Sequence, residues 1–246
     1  MTVRASTSSR PAGAYRVDSV FLPYAAFLVA YGNAAAYLAG SALPHGGAGV
    51  LFGVTLVAAV LVIARLEGLT LADLGLRRER LALGAGIGFV LALLAVGGAI
   101  LVLRFPPLVG GPVTYAPLAA VAPAELATRI ALTMPLDTVI PEELAFRGLL
   151  LAQLLRRYRA PAAVALSALV FAAWHVVIVL ATLAETNLAP DPLFGALGLA
   201  GAFLAVFAGG VFFATLRLVT GSLAAPLAAH WGFNTALLVG LRAFAV

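Results

Sequence analysis

The sequence predicts an all-α integral membrane protein, built as a single bundle of about seven transmembrane helices. Of its 246 residues, 63% are hydrophobic and only 10% are charged. A water-soluble domain with this composition would expose large apolar patches. Apolar stretches of about 20 residues, the length that crosses a bilayer as a helix, recur along the chain. Together these stretches use up the length, so no second domain is expected.

Arginine, proline and glycine separate the apolar stretches from one another. The predicted spans lie near residues 20–40, 48–65, 82–103, 138–155, 161–182, 194–216 and 222–243. On this division, residues 1–19 form a cytoplasmic N-terminal tail and residues 20–246 form the bundle. Segment 117–136 carries Glu125 and Arg129, whose spacing allows a pair on one helix face. We expect it to be interfacial or re-entrant, and counting it as a span would give eight.

The distribution of arginine predicts the orientation in the membrane. All fifteen basic residues are arginines, and cytoplasmic loops carry an excess of positive charge. With seven spans and a cytoplasmic N-terminus, most arginines fall inside, whereas an eighth span would move the cluster at 156–159 outside. We therefore favour seven spans in a bacterial-type plasma membrane.

Composition also excludes several classes of function. The net charge of +5 follows from the topology, so no nucleic-acid partner is predicted. The chain has no cysteine, which excludes disulfides, thiolate metal sites and cysteine nucleophiles. Any catalysis must use oxygen and nitrogen groups.

The fourth predicted span contains three charged residues, Glu142, Glu143 and Arg147. Inserting a charged side chain at bilayer depth costs roughly 2.5–3.5 kcal/mol, so each such residue is expected to have an ion-pair partner or a function. Glu143 and Arg147 are spaced i,i+4 and can pair on one helix. Glu142 lies about 100° away around that helix and, facing a dry interior, would be a suitable general base. The alternative is that both glutamates belong to an interhelical ion network.

Two further pairs of residues have the same i,i+4 spacing on other spans, and each pair contains a histidine. Phe171 and His175 share one face of the fifth span, and His230 and Asn234 share one face of the seventh. At a rise of about 1.5 Å per residue, Glu142 and these polar groups lie roughly 12–21 Å from the predicted inner ends. A carboxylate, two imidazoles and a carboxamide that converge can activate water and stabilise an oxyanion. The alternative is that the histidines are satisfied core residues.

The sequence resembles a known family in three motifs that occur in order on separate helices. They are Glu142-Glu143-x-x-x-Arg147, Phe171-x-x-x-His175 and His230-x-x-x-Asn234. They are similar to motifs of the CPBP intramembrane proteases, which include the enzymes that trim prenylated CAAX proteins. The likeness covers roughly residues 70–240.

The resemblance implies hydrolysis of a peptide bond in the membrane. It implies that Glu142 and His175 activate water and that His230 and Asn234 stabilise the oxyanion. Glu143, Arg147 and Phe171 would then support the site.

The sequence requires no cofactor, because the His-Glu-x-x-His zinc motif does not occur in it. We favour a metal-free mechanism driven by glutamate. Zinc is the alternative, and its ligands would be Glu142, His175 and His230. The expected partners are the lipid bilayer and a peptide or protein substrate.

Two other classes of function remain open. The first is a non-enzymatic immunity or scaffold protein with the same fold. The second is a proton-coupled transporter, since chains of Glu and His also relay protons. The absence of an internal repeat weakens the transporter interpretation.

Overall fold

The computed structural model of the chain describes residues 20–39, 47–104, 114–118 and 121–244. Within these ranges every extended regular element is helical, and the β contact recorded there is an isolated bridge between Tyr115 and Thr186. The all-α class is therefore confirmed. The predicted tail at 1–19 lies outside the described residues.

Eight helices, numbered here along the chain, make up most of the described structure. They are α1 (Phe21–Ala39), α2 (Gly47–Leu66), α3 (Arg78–Arg104), α4 (123–155), α5 (Ala160–Trp174), α6 (Val176–Ala184), α7 (Pro192–Thr220) and α8 (Ala224–Phe244). A short 3₁₀ turn occupies Ala116–Leu118.

Several of these helices are long and apolar enough to cross a membrane. Among the described residues, α1, α2, α3 and α7 meet this requirement, and α5 with α6 forms a fifth candidate that is bent by 49°. Each predicted span overlaps one of the helices or this bent pair. The total of seven spans stays a prediction.

Helix α4 differs from the sequence prediction because it is continuous. The sequence predicted a boundary between the segment 117–136 and the span 138–155, but the backbone stays helical from 123 to 155. Proline lacks an N–H and normally interrupts a helix. Here wider, π-type hydrogen bonding over Arg129–Thr133, Pro135–Val139 and Glu143–Leu150 carries the helix past Pro135 and Pro141.

The C-terminal half of α4 runs through the centre of the bundle. Every residue from 139 to 151 except Ile140 is buried, and Phe146, Leu149 and Leu150 have no exposed surface. Buried residues of α1 and α2, such as Leu28 and Leu56, belong to the same core. The two consecutive glutamates of α4 therefore lie where water is scarce.

Helices α3 and α8 approach each other closely through glycine. A side-chain carbon at Gly84 would overlap Ser222, and one at Gly88 would overlap Ala225 and Ala228. The two helices can pack this closely because only a hydrogen fits at these two positions. This contact fixes the position of α8, which carries His230 and Asn234.

Two arginines form hydrogen bonds between the end of α7 and the region of α3, one from α3 itself and one to the loop before it. Arg80 Nη1 donates to the Thr220 carbonyl at 3.1 Å, and Arg217 Nη2 donates to the Asp73 carbonyl at 3.2 Å. Hydrogen bonds from Thr70 hold the Asp73 carboxylate and lower its pKa. The start of α3 and the entry to α8 are therefore joined at one end of the bundle.

Candidate active site

The two consecutive glutamates of α4 have different partners, and only Glu143 accepts hydrogen bonds from other side chains in the described part of the chain, both at its Oε1. It has no exposed surface. Its Oε1 accepts a hydrogen bond from Arg147 Nη1 at 3.0 Å and another from His230 Nδ1 at 2.9 Å. The predicted Glu143–Arg147 pair is therefore present, and a histidine from α8 joins it. This link fixes α8 relative to α4.

Aromatic rings surround the Arg147 guanidinium, which is 1% exposed. Its central carbon lies 4.1 Å from the centroid of the Phe171 ring and 5.2 Å from that of Phe213. The His230 ring stacks on Phe213 at 4.9 Å. A buried cation is stabilised by ring faces as well as by its carboxylate partner. Glu143, Arg147 and His230 thus form one packed ionic cluster.

Glu142 faces His175 instead. Its Oε2 lies 3.9 Å from His175 Nε2, and no residue in the described part of the chain donates a hydrogen bond to this buried oxygen. On the other side of the imidazole, Nδ1 lies 2.7 Å from the Phe171 carbonyl oxygen. A carbonyl oxygen only accepts, so Nδ1 must carry the hydrogen. In the neutral ring, Nε2 therefore presents a lone pair to Glu142.

The separation of Glu142 Oε2 and His175 Nε2 suits a single water molecule. Both atoms are acceptors, so a direct hydrogen bond between them does not form in this protonation state. A water about 2.8 Å from each would point its two O–H bonds about 90° apart, close to its own bond angle. The pair can therefore hold one water by both of its hydrogens.

The backbone at His175 explains how the ring is aimed. Helix α5 ends at Trp174 and α6 begins at Val176, with His175 between them at φ −91° and ψ 7°. The His175 N–H bonds to the Ala172 carbonyl at 3.1 Å. The Phe171 carbonyl, its partner in a regular helix, is thereby left to accept from the imidazole. The break thus both supplies this acceptor and directs the ring.

Phe171 connects the two groups, and Asn234 belongs to neither. The Phe171 ring centroid is 4.4 Å from that of His175 and 6.4 Å from that of His230. Asn234 is half-buried one turn beyond His230 on α8. Its side chain makes no recorded hydrogen bond to the rest of the described chain. Its role as an oxyanion donor stays a prediction.

The zinc alternative does not fit the side chains at the site. No group of three or more His, Cys, Asp or Glu residues in the described ranges could hold a metal ion. Glu142, His175 and His230, the ligands that the zinc alternative named, are therefore not grouped closely enough to share one ion. We therefore derive no step through a metal.

The segment that carries all three motifs matches a known family. Residues 124–236 match the family model described as type II CAAX prenyl endopeptidase Rce1-like. These residues, fewer than half of the chain, are similar to that family and are here called the Rce1-like region. The recognition of CAAX-type proteases from the three motifs is therefore confirmed over these residues. No curated protein and no solved structure matches the chain.

Sequence reasoning missed two residues that shape the site. Phe213, in the Rce1-like region, stacks on His230 and Arg147 but belongs to no polar pattern that would have marked it. Asn33, outside that region, hydrogen-bonds to both sides of the break at His175. The sequence did contain an indication of this role, because a carboxamide inside an apolar span needs a hydrogen-bond partner.

Proposed function

We propose that this protein is an intramembrane endopeptidase that hydrolyses a peptide bond of a membrane-associated peptide or protein. One observation carries the proposal: a buried carboxylate and an imidazole, Glu142 and His175, face each other as acceptors at a distance that fits one water. The Rce1-like region and the membrane-capable helices support it. Because the family description names CAAX prenyl endopeptidases, prenylated CAAX peptides are the first substrates to test.

In the proposed reaction, Glu142 Oε2 and His175 Nε2 hold the attacking water. Glu142 takes one proton as the water oxygen forms a bond to the scissile carbonyl carbon, and the carbonyl oxygen becomes an oxyanion. The protonated Glu142 then donates to the amide nitrogen as the carbon–nitrogen bond breaks. The products are a carboxylic acid and an amine, and Glu142 returns to its ionised state.

His230 and Asn234 are proposed to stabilise the oxyanion. His230 Nδ1 is already bonded to Glu143, so His230 can donate from Nε2 only when its ring is protonated. Asn234, one turn further along α8, would supply a neutral donor.

The proposal is tested by Glu142→Gln, which keeps the shape but removes the proton acceptor. Loss of a general base typically lowers a rate by about 10²- to 10⁴-fold, and we expect a decrease of that size in cleavage of a prenylated peptide. New termini would be identified by mass spectrometry. Glu125→Gln, at an exposed position of the same helix, is the matched control and should cleave at the wild-type rate.

Two outcomes would contradict this function. A folded Glu142→Gln protein that cleaves at the wild-type rate would remove Glu142 from the mechanism. A wild-type protein that generates no new termini from any membrane peptide would favour the non-enzymatic scaffold alternative.

We also propose a single bundle of seven spans with a cytoplasmic N-terminus in a bacterial-type plasma membrane. The excess of arginine in the predicted inside loops supports this orientation. Because the chain has no cysteine, single cysteines can be introduced at will. A cysteine at Asn187 should react with an impermeant maleimide from outside intact cells, whereas one at Glu79 should not. The reverse pattern would overturn the orientation.

A further inference from the structure

The break at His175 is filled by a side chain from the first helix. In an uninterrupted helix the Val177 N–H would donate to the Ala173 carbonyl. Instead, Val177 N donates to Asn33 Oδ1 at 2.8 Å, and Asn33 Nδ2 donates to the Ala173 carbonyl at 2.9 Å. The carboxamide of Asn33 is thus inserted between the two partners of one missing helical bond, and it satisfies both.

This insertion removes the main energetic penalty of a broken helix in a membrane. An unsatisfied backbone N–H or C=O in an apolar environment costs several kcal/mol. Without Asn33, the Ala173 carbonyl and the Val177 N–H would best satisfy each other, which straightens the helix. Asn33 also donates to the Val29 carbonyl of its own helix at 2.8 Å. This hydrogen bond within α1 holds the rotamer of the side chain.

The two residues before Asn33 set how closely α1 approaches the break. The Tyr31 ring stacks on Trp174 with centroids 6.2 Å apart. Gly32 lies so close to the Trp174 indole that a side-chain carbon there would overlap the ring. Tyr31 Oη in turn donates to the Phe52 carbonyl of α2 at 2.7 Å. The segment Tyr31-Gly32-Asn33 is therefore held at the residue immediately before His175.

We propose that Asn33 is a positioning residue for His175. His175 lies inside the turn that Asn33 interrupts, between Ala173 and Val177. The orientation of its ring depends on a backbone N–H that is turned away from Phe171, and this arrangement is lost if the helix straightens. Asn33 touches no reacting atom, so it acts through the direction in which His175 Nε2 points. The catalytic part of this inference rests on the proposed function, but its structural part does not.

Kinetics separate positioning from a general effect on folding. A small displacement of a catalytic group can cost on the order of 10²-fold in rate, so Asn33→Ala should lower kcat by about that factor with little change in KM. Tyr37→Phe is the control on the same helix, because the Tyr37 side chain is exposed. It should stay close to the wild-type kcat.

A double mutant makes this test decisive. In a His175→Ala background, Asn33→Ala should cause no further loss of the residual rate, since its effect is transmitted through His175. An equal loss in both backgrounds would overturn the positioning role. Asn33→Asp, which keeps the acceptor for Val177 but loses the donor to Ala173, should give an intermediate kcat. It also provides a second variant if Asn33→Ala folds poorly.

The bend itself can be measured without any activity. Spin labels on cysteines introduced at Ala162 in α5 and Ala184 in α6, both exposed, report the distance across the break by pulsed electron paramagnetic resonance. Asn33→Ala should lengthen this distance as the 49° bend opens, and Tyr37→Phe should not. An unchanged distance in Asn33→Ala overturns the proposal. If no variant cleaves any peptide, the proposed function fails, while the distances still decide the role of Asn33.

Discussion

Glu142 and Glu143 are consecutive, chemically identical and both buried, yet their surroundings differ completely. One oxygen of Glu143 accepts from both Arg147 and His230. Oε2 of Glu142 has no donor in the described part of the chain and faces an imidazole lone pair at 3.9 Å. Neither burial nor charge distinguishes these two carboxylates from each other. The presence or absence of fixed donors does.

The backbone around the two groups differs as well. The Glu143 cluster is formed by residues inside the uninterrupted helices α4 and α8, and it packs against the rings of Phe171 and Phe213. The partner of Glu142 lies at the break between α5 and α6. A break frees backbone groups that can direct a side chain, which a regular helix cannot do. We therefore expect mutations in the two groups to have different signatures.

The largest expected effect is on the Glu142–His175 pair. His175→Ala should lower cleavage about as far as Glu142→Gln, by about 10²- to 10⁴-fold. The double mutant should be little worse than either single mutant, because residues that act in one step are not additive. Rates of peptide cleavage measured on all four proteins test this. Losses that multiply would mean that the two residues act in separate steps.

Glu143→Gln should affect mainly stability. It leaves the Arg147 cation buried without its counter-ion, and breaking a buried ion pair in this way costs about 3–5 kcal/mol. Unfolding in a mild detergent titrated with a denaturing one would report the decrease. Glu142→Gln, at the neighbouring position, should show no such loss. If the two variants unfold alike, the distinction between a structural and a reactive glutamate is wrong.

Asn234→Ala should have the smallest effect of the three. Loss of one oxyanion donor typically lowers kcat by about 10²- to 10³-fold, with KM little changed because the interaction forms only in the transition state. Thr235→Ala, which alters the adjacent hydroxyl on α8, is the control and should leave kcat unchanged. A raised KM with normal kcat would assign Asn234 to substrate binding instead.

The sequence predicted the local contacts of the site well. The i,i+4 pairs Glu143–Arg147 and Phe171–His175 are in contact, because helical periodicity alone determines them. Counting the rise per residue also placed Glu142 and His175 at similar levels. A count of this kind gives the level along a helix but not its rotation about the axis.

Contacts between helices therefore escaped prediction. The bond from His230 to Glu143 joins residues that lie 87 positions apart, and it depends on how α8 is turned. The continuous α4 could not be foreseen either, since its prolines signal interruption and only the π-type turns carry the helix past them. Asn33 was overlooked because its partners are backbone groups. A carboxamide in an apolar span indicates that a partner is needed, but backbone partners leave no motif that identifies them.

The position of Asn33 also bears on the order in which the protein is assembled. Asn33 belongs to α1, whereas Ala173 lies 140 residues later in the chain. A newly inserted α5–α6 segment has only its own backbone groups as partners, so it enters the bilayer straight. The bend arises when α1 docks against it, in the association of helices that follows insertion. On the proposed function, a nascent chain would thus carry its histidine without hydrolytic capacity until the bundle has closed.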